Sequence, residues 1–127
     1  RVMLCSTFQS PFYPYSGADT VSNHIINIPL PAGTAGRAWR HAVEGRLLPA
    51  LDAWAPELVL FSAGFDAHVE DPLADFLLTD GDYAWITGEV RKIAARHAGG
   101  RIVSALEGGY ALSALGRGVS AHLNALL

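Results

Sequence analysis

Apolar residues recur along this chain in two rhythms. Between positions 34 and 54, Trp39, Val43, Leu47, Leu51 and Trp54 fall at steps of three and four, the spacing that gathers side chains on one face of an α-helix. Pro49 lies inside that stretch and must kink the helix or open a new turn, because it offers no N–H and crowds the preceding carbonyl. A second helix is marked by Tyr83, Ile86, Val90, Ile93 and His97. Thr79-Asp80-Gly81-Asp82 gives it a capping hydroxyl and acids in the first turn, and Gly99-Gly100 ends it. Leu112, Leu115, Val119, Leu123 and Leu126 line a third. Three other runs are almost continuously apolar and too short for such helices: residues 1–7, 57–63 and 102–106. They read as strands buried in a sheet. His24-Ile25-Ile26-Asn27-Ile28-Pro29-Leu30 predicts a short strand closed by Pro29, and residues 64–78 predict a loop.

The order is therefore strand, loop, strand, helix, strand, helix, strand, helix. Strands alternating with helices imply right-handed crossovers and an α/β fold, a parallel sheet flanked by helices on both faces. With 127 residues, half of them hydrophobic, the chain fits one domain, residues 1–127, without repeats or linkers. Nine Lys and Arg against twelve Asp and Glu leave a formal net charge of -3, so there is no basic surplus for nucleic acid. No apolar run approaches the roughly 20 residues that cross a bilayer, so no membrane partner is expected. A single cysteine, Cys5, excludes an internal disulfide framework and any Cys-rich zinc motif. It fits a reducing, cytoplasmic setting, with the thiol a small core hydrophobe. Arg1-Val2-Met3-Leu4 reads as a strand already under way, so the chain is expected to be part of something longer.

Ligands of open parallel sheets gather beyond the carboxyl ends of the strands. That rule selects Ser6-Thr7-Phe8, Ser62 to His68, and Glu107 to Tyr110. Asp66 follows a strand at once, and Gly64 permits the tight turn that aims its carboxylate over the sheet edge. It is either a turn-capping Asp or a hard donor for a divalent ion. His68, two residues on, could join it as a ligand or simply bond the backbone of its loop. Tyr110 follows two glycines and is either packed at a helix start or a neutral donor to a developing oxyanion. Phe12, Tyr13 and Tyr15, in a Pro-rich loop, either line an apolar channel or pack locally. His41, His97 and His122 read as ordinary helix residues.

Leu58-Val59-Leu60-Phe61-Ser62-Ala63-Gly64-Phe65-Asp66-Ala67-His68, then Asp71-Pro72-Leu73, then Leu106-Glu107-Gly108-Gly109-Tyr110, together resemble the zinc-dependent histone deacetylase family, nearest its class II and bacterial deacetylase-like amidohydrolase members. The resemblance runs from Ser6 to the last helix and implies a partial arginase/deacetylase-type fold. By it, Asp66 corresponds to the family's last zinc ligand and Tyr110 to the tyrosine that bonds the substrate carbonyl and its oxyanion. Tyr13, Leu73, Gly108 and Gly109 correspond to the acyl-lysine tunnel. Ser6 and Thr7 correspond to part of a buried monovalent-cation site, with potassium the expected ion, and His68 is no zinc ligand in this pattern. The family's His-His acid/base pair and the Asp-x-His pair supplying its other two zinc ligands lie upstream of the matched segments. The chain is therefore expected to be the carboxyl-terminal portion of a catalytic domain. Ala111 stands where relatives often carry a capping Asp or Asn, which costs the last helix ~1 kcal/mol.

The resemblance implies hydrolysis of N-acetyl amides such as acetyl-lysine in the complete enzyme and an inactive isolated chain. Two alternatives stay open: an acetylpolyamine or other small-amide hydrolase, and a truncated module without turnover. Either way, bared sheet surface predicts self-association or association with the missing half.

Overall fold

The structure, a computed structural model, describes all 127 residues. Nine segments follow one another: β1 (Leu4–Gln9), β2 (Ile25–Leu30), α1 (Gly36–Ala42), a π-helical turn (Val43–Leu47), α2 (Leu48–Trp54), β3 (Val59–Ala63), α3 (Asp80–His97), β4 (Ile102–Leu106) and α4 (Leu112–Leu126). The strands form two parallel ladders. β1 pairs with β2 from Leu4↔Ile25 to Gln9↔Leu30, and β3 pairs with β4 from Val59↔Ile102 to Ala63↔Leu106. The expected parallel pairing of the strands around Leu60 and Val103 is thus present.

The helix predicted over 34–54 is one continuous helical path with a change of winding at its middle. The π turn ends at Leu47, and Pro49 sits in the first turn of α2, where its missing N–H breaks no helical bond. Trp39, Val43 and Leu47 are buried with Ile28, Phe76 and Leu78 in the larger core, and the Trp39 indole donates to the Thr7 hydroxyl at 3.0 Å. Val59, Val90, Ala94 and Ala98 form a second core between β3 and α3. Burial pushes the Cys5 thiol up to about 11, so it stays protonated beside the larger core.

Residues 64–78 are more ordered than a plain loop. Isolated bridges pair Ala35 with Leu77 and His68 with Leu78, and Gln9 at the end of β1 exchanges two hydrogen bonds with Asp75, 3.1 and 3.0 Å. This segment joins the two ladders. α3 begins as predicted at Thr79. Asp82 accepts the Thr79 N–H at 2.8 Å and its hydroxyl at 3.1 Å, and pairs with Arg40 of α1 at 2.7 Å.

Three expectations need correction. The strands are not buried on both faces: Leu60, 70% exposed, and its partner Val103 share a face that nothing in the chain covers, and Leu4 of β1 and Leu106 at the end of β4 are exposed as well. His97 leaves the buried face of α3 and bonds Asp52 of α2 at 2.8 Å; bonds from Arg96 and then His97 hold that carboxyl below its usual range. The face α4 buries is Ala114, Gly118 and His122, whereas Leu112 is 80% exposed. Small residues are selected there because α4 lies close against Phe65, only 2.8 Å from a Cβ built at Gly118.

His122 is a structural link rather than an ordinary helix residue. Its Nδ1 is 2.7 Å from the Thr87 hydroxyl, which itself donates to the Tyr83 carbonyl, so Nδ1 carries the proton. Nε2, 2.9 Å from the Ser104 hydroxyl, then accepts. Burial lowers the pKa of this imidazole. The unfolded chain therefore takes up the proton first: the contribution is complete above about pH 6.5 and fades as pH falls toward the lower folded value. Melting temperature should drop between pH 7 and 5, and His122→Gln should flatten that slope in thermal unfolding followed by circular dichroism. A second outcome follows from Gly36, where an added Cβ would lie 2.5 Å from the Asp82 carboxylate. Gly36→Ala should cost about 1–3 kcal/mol in chemical denaturation, as overpacking at a buried site does.

Candidate functional site

The carboxyl ends of β3 and β4 lie side by side, and the two chain segments leaving them are joined at once. Glu107 donates its N–H to the Ala63 carbonyl at 3.0 Å, and Phe65 donates to the Gly108 carbonyl at 2.7 Å. Phe65 then turns inward and is buried against Tyr83, with ring centroids 4.9 Å apart. Asp66, next in the chain, is left half-buried at the sheet edge. A Cβ at Gly108 would lie 2.8 Å from its carboxylate, and one at Gly64 would lie 3.0 Å away, so the two glycines form a cradle for it. None of the chain's hydrogen bonds ends on that carboxylate. A half-buried acceptor without a donor suits a cation, and Asp66 fits as one donor to a divalent ion. No group of three His, Cys, Asp or Glu that could complete such a site forms within the chain.

His68 does not point to that position. Its Nδ1 accepts the Glu70 N–H at 3.1 Å, which places the ring proton on Nε2, and Nε2 donates to Asp80 at 3.0 Å. Arg117 of α4 completes the cluster, bonding Asp80 at 3.1 Å and also Glu70. The buried ring lies parallel to Tyr83. Loop bonding, the plainer of the two readings of His68, therefore holds.

Tyr110 follows Gly109, whose φ of +138° is a conformation that other residues rarely adopt. Its side chain is 53% exposed. Its main-chain N–H donates to Asp71 at 2.8 Å, and the same carboxylate accepts the Leu73 N–H at 2.9 Å. Leu73, Gly108, Gly109, Tyr110 and Asp66 are thus brought together. Tyr13 is not: with Ser6 it lines a cleft formed by the Pro-rich loop, alongside Phe8 and Phe12, whose walls include neither Asp66 nor Tyr110. Thr7 turns the other way along the strand, its hydroxyl oxygen accepting from Trp39.

Two neighbours of the site were not singled out from the sequence. Asp71 entered only as a letter of the Asp71-Pro72-Leu73 motif, with no role of its own. Tyr83 counted as one more apolar position of α3, yet its hydroxyl is buried without a hydrogen-bond partner. Burial, and after it Asp66 and Asp71, push this phenol well above its usual range, so it stays neutral behind the site.

Residues 1–126 match the histone deacetylase domain. Histone deacetylase 10, chloroplastic, of Oryza sativa subsp. japonica is 36% identical over 132 residues, covering 99% of this chain and 30% of that protein. The histone deacetylase-like amidohydrolase of Pseudomonas aeruginosa is 38% identical over 116 residues, covering 86% of this chain and 30% of that protein. The solved HDA15 HD domain superposes with a TM-score of 0.89 at 28% identity, covering 98% of this chain and 37% of that one. The chain therefore spans about a third of the length of these relatives. Matched from end to end and folded like a solved domain of the same kind, it belongs to the histone deacetylase family.

Proposed function

We propose that this chain is the carboxyl-terminal portion of the catalytic domain of a zinc-dependent deacetylase that hydrolyses N-acetyl amides, acetyl-lysine foremost. The observation that carries the reading is the bare Asp66 carboxylate in its glycine cradle, with Tyr110 on the adjoining loop. Asp66 would hold zinc together with donors from outside residues 1–127. When bound, zinc supplies a Lewis acid for the amide carbonyl and lowers the pKa of a coordinated water. Tyr110 contributes a phenolic donor to the carbonyl oxygen, a bond that strengthens as negative charge develops there. The base that takes the water's proton is outside this chain. Leu73, Gly108 and Gly109 wall the channel for the acyl chain, and Tyr13, which lines the separate cleft of the Pro-rich loop, takes no part in it. Ser6 and Thr7, together with main-chain oxygens, would be the donors to a monovalent cation such as potassium; the Thr7 oxygen that accepts the Trp39 N–H keeps a second lone pair for it.

In the enzyme that carries this segment, Tyr110→Phe should lower turnover on an acetyl-lysine peptide about 100- to 1000-fold with zinc retained, as removal of one oxyanion donor does. Asp66→Ala should lose metal and activity together. Gly108→Ala leaves every ligand in place yet should weaken zinc binding, because its new Cβ would fall 2.8 Å from the Asp66 carboxylate. Normal turnover by the Tyr110→Phe enzyme would overturn the role given to that residue.

The apolar face bearing Leu60 and Val103 is where the rest of the domain would pack, which fits the 37% share of the HDA15 HD domain that the chain covers. By itself the chain should self-associate and hold no tight zinc. A stable monomer in light scattering at high micromolar concentration, or stoichiometric zinc by elemental analysis, would contradict this.

A further inference from the structure

We propose that Asp71 is the positioning residue for Tyr110, fixing where the phenol stands relative to the wall of the channel. The inference rests on the function proposed for Tyr110. Asp71 is 8% exposed, and a carboxylate so far from water must be satisfied within the protein. Both of its oxygens are used, and both on main-chain N–H groups of site residues. Oδ1 accepts from Leu73 at 2.9 Å and Oδ2 from Tyr110 at 2.8 Å. One rigid group therefore sets the distance between two loops that are 39 positions apart in sequence.

The Tyr110 segment has little else to hold it. Beyond the Gly108 carbonyl, bonded to Phe65, the chain passes through Gly109 and Tyr110 and regains regular bonding only where Leu115 donates to the Ala111 carbonyl. Between those points the Asp71 bond is the main-chain anchor. The glycines before Tyr110 allow many backbone conformations, so without that anchor the phenol would sample many positions. Asp71 is itself held. Its N–H donates to the His68 carbonyl at 2.9 Å, and His68 is fixed by Asp80, Glu70 and through them by Arg117 of α4. Charge-assisted bonds from backbone N–H to carboxylate are short and strong, which suits a constraint that must survive turnover.

Asp71→Asn keeps the shape but can accept only one of the two N–H bonds, turning its amide toward the other donor. In the zinc-loaded enzyme carrying this segment, kcat should fall about 10- to 100-fold, the scale of a small misplacement, with KM within about twofold and zinc retained. Because Asp71 acts through Tyr110, Asp71→Asn/Tyr110→Phe should be no slower than Tyr110→Phe alone by more than about twofold. Independent, multiplicative losses in the double variant, an unchanged kcat, or a rise confined to KM would each overturn the proposal, the last by pointing to Leu73 instead. Should the variant fail to fold, hydrogen exchange on the unmodified enzyme decides. The Tyr110 amide lies outside every helix and strand, yet should exchange slowly, and exchange at the rate of an open loop would refute the anchor. Failure of the proposed function is distinguishable: Tyr110→Phe would then leave kcat intact, while the protection of the Tyr110 amide would still report on Asp71.

Discussion

The hydrogen bond from the Phe65 N–H to the Gly108 carbonyl, 2.7 Å long, is the joint on which the site depends. It prolongs the β3–β4 ladder beyond its last paired residues and delivers two chain segments to the same edge. The Phe65 ring strengthens it from below. It is buried against Tyr83; a Cβ at Gly118 would stand 2.8 Å from the ring, and one at Gly109 would stand 3.1 Å from the Phe65 Cβ and 2.8 Å from Leu115. Burying such a ring contributes roughly 1.5–3 kcal/mol. Gly118 is therefore a consequence of where the Phe65 ring sits, and Gly109 of its place between Phe65 and Leu115 with a positive φ: neither leaves room for a side chain. Asp66 takes its position from the same contact, over Gly108.

From this joint outward, polar groups rather than apolar ones fix the loop. His68, Asp80, Glu70 and Arg117 form one connected cluster between residues 68–70, the start of α3 and the middle of α4. Exposed ion pairs contribute little singly, about 0–1 kcal/mol. What gives this cluster weight is that the His68 ring is buried and both its nitrogens are used, so the loop cannot turn without leaving a polar atom unpaired. The larger core acts on the other side, where Phe76 and Leu78 pin the end of the same segment under Trp39. A stretch with no helix and scarcely any strand is thereby held at both ends.

Periodicity located the helices because side chains on one helical face recur every 3.6 residues, and short, nearly continuous apolar runs located the strands. Both signals misjudged faces where the partner surface, rather than the element's own pattern, decides burial. α4 shows this plainly. Its leucines suggest the buried stripe, but close approach to Phe65 selects Ala114 and Gly118, and His122 follows because Thr87 and Ser104 offer it two partners. The strands fail in the same direction, since an apolar run reports what a strand is suited to touch and not whether the touching surface belongs to the same chain.

By itself the sequence determined the α/β element order, the cap at Thr79, the change of winding near Pro49, and the candidates Asp66 and Tyr110, which stand in short local motifs beside the glycines they require. Tertiary structure alone decided that Tyr13 and Ser6 line a different cleft from these two residues, that His68 turns to Asp80, and that Asp71 bridges Leu73 to Tyr110. The reason is range. A turn, a cap or a helical stripe is settled by neighbours within a few residues, whereas a carboxylate that binds an N–H 39 positions away is placed by how the β3–β4 ladder and α4 pack, and no local pattern encodes that distance.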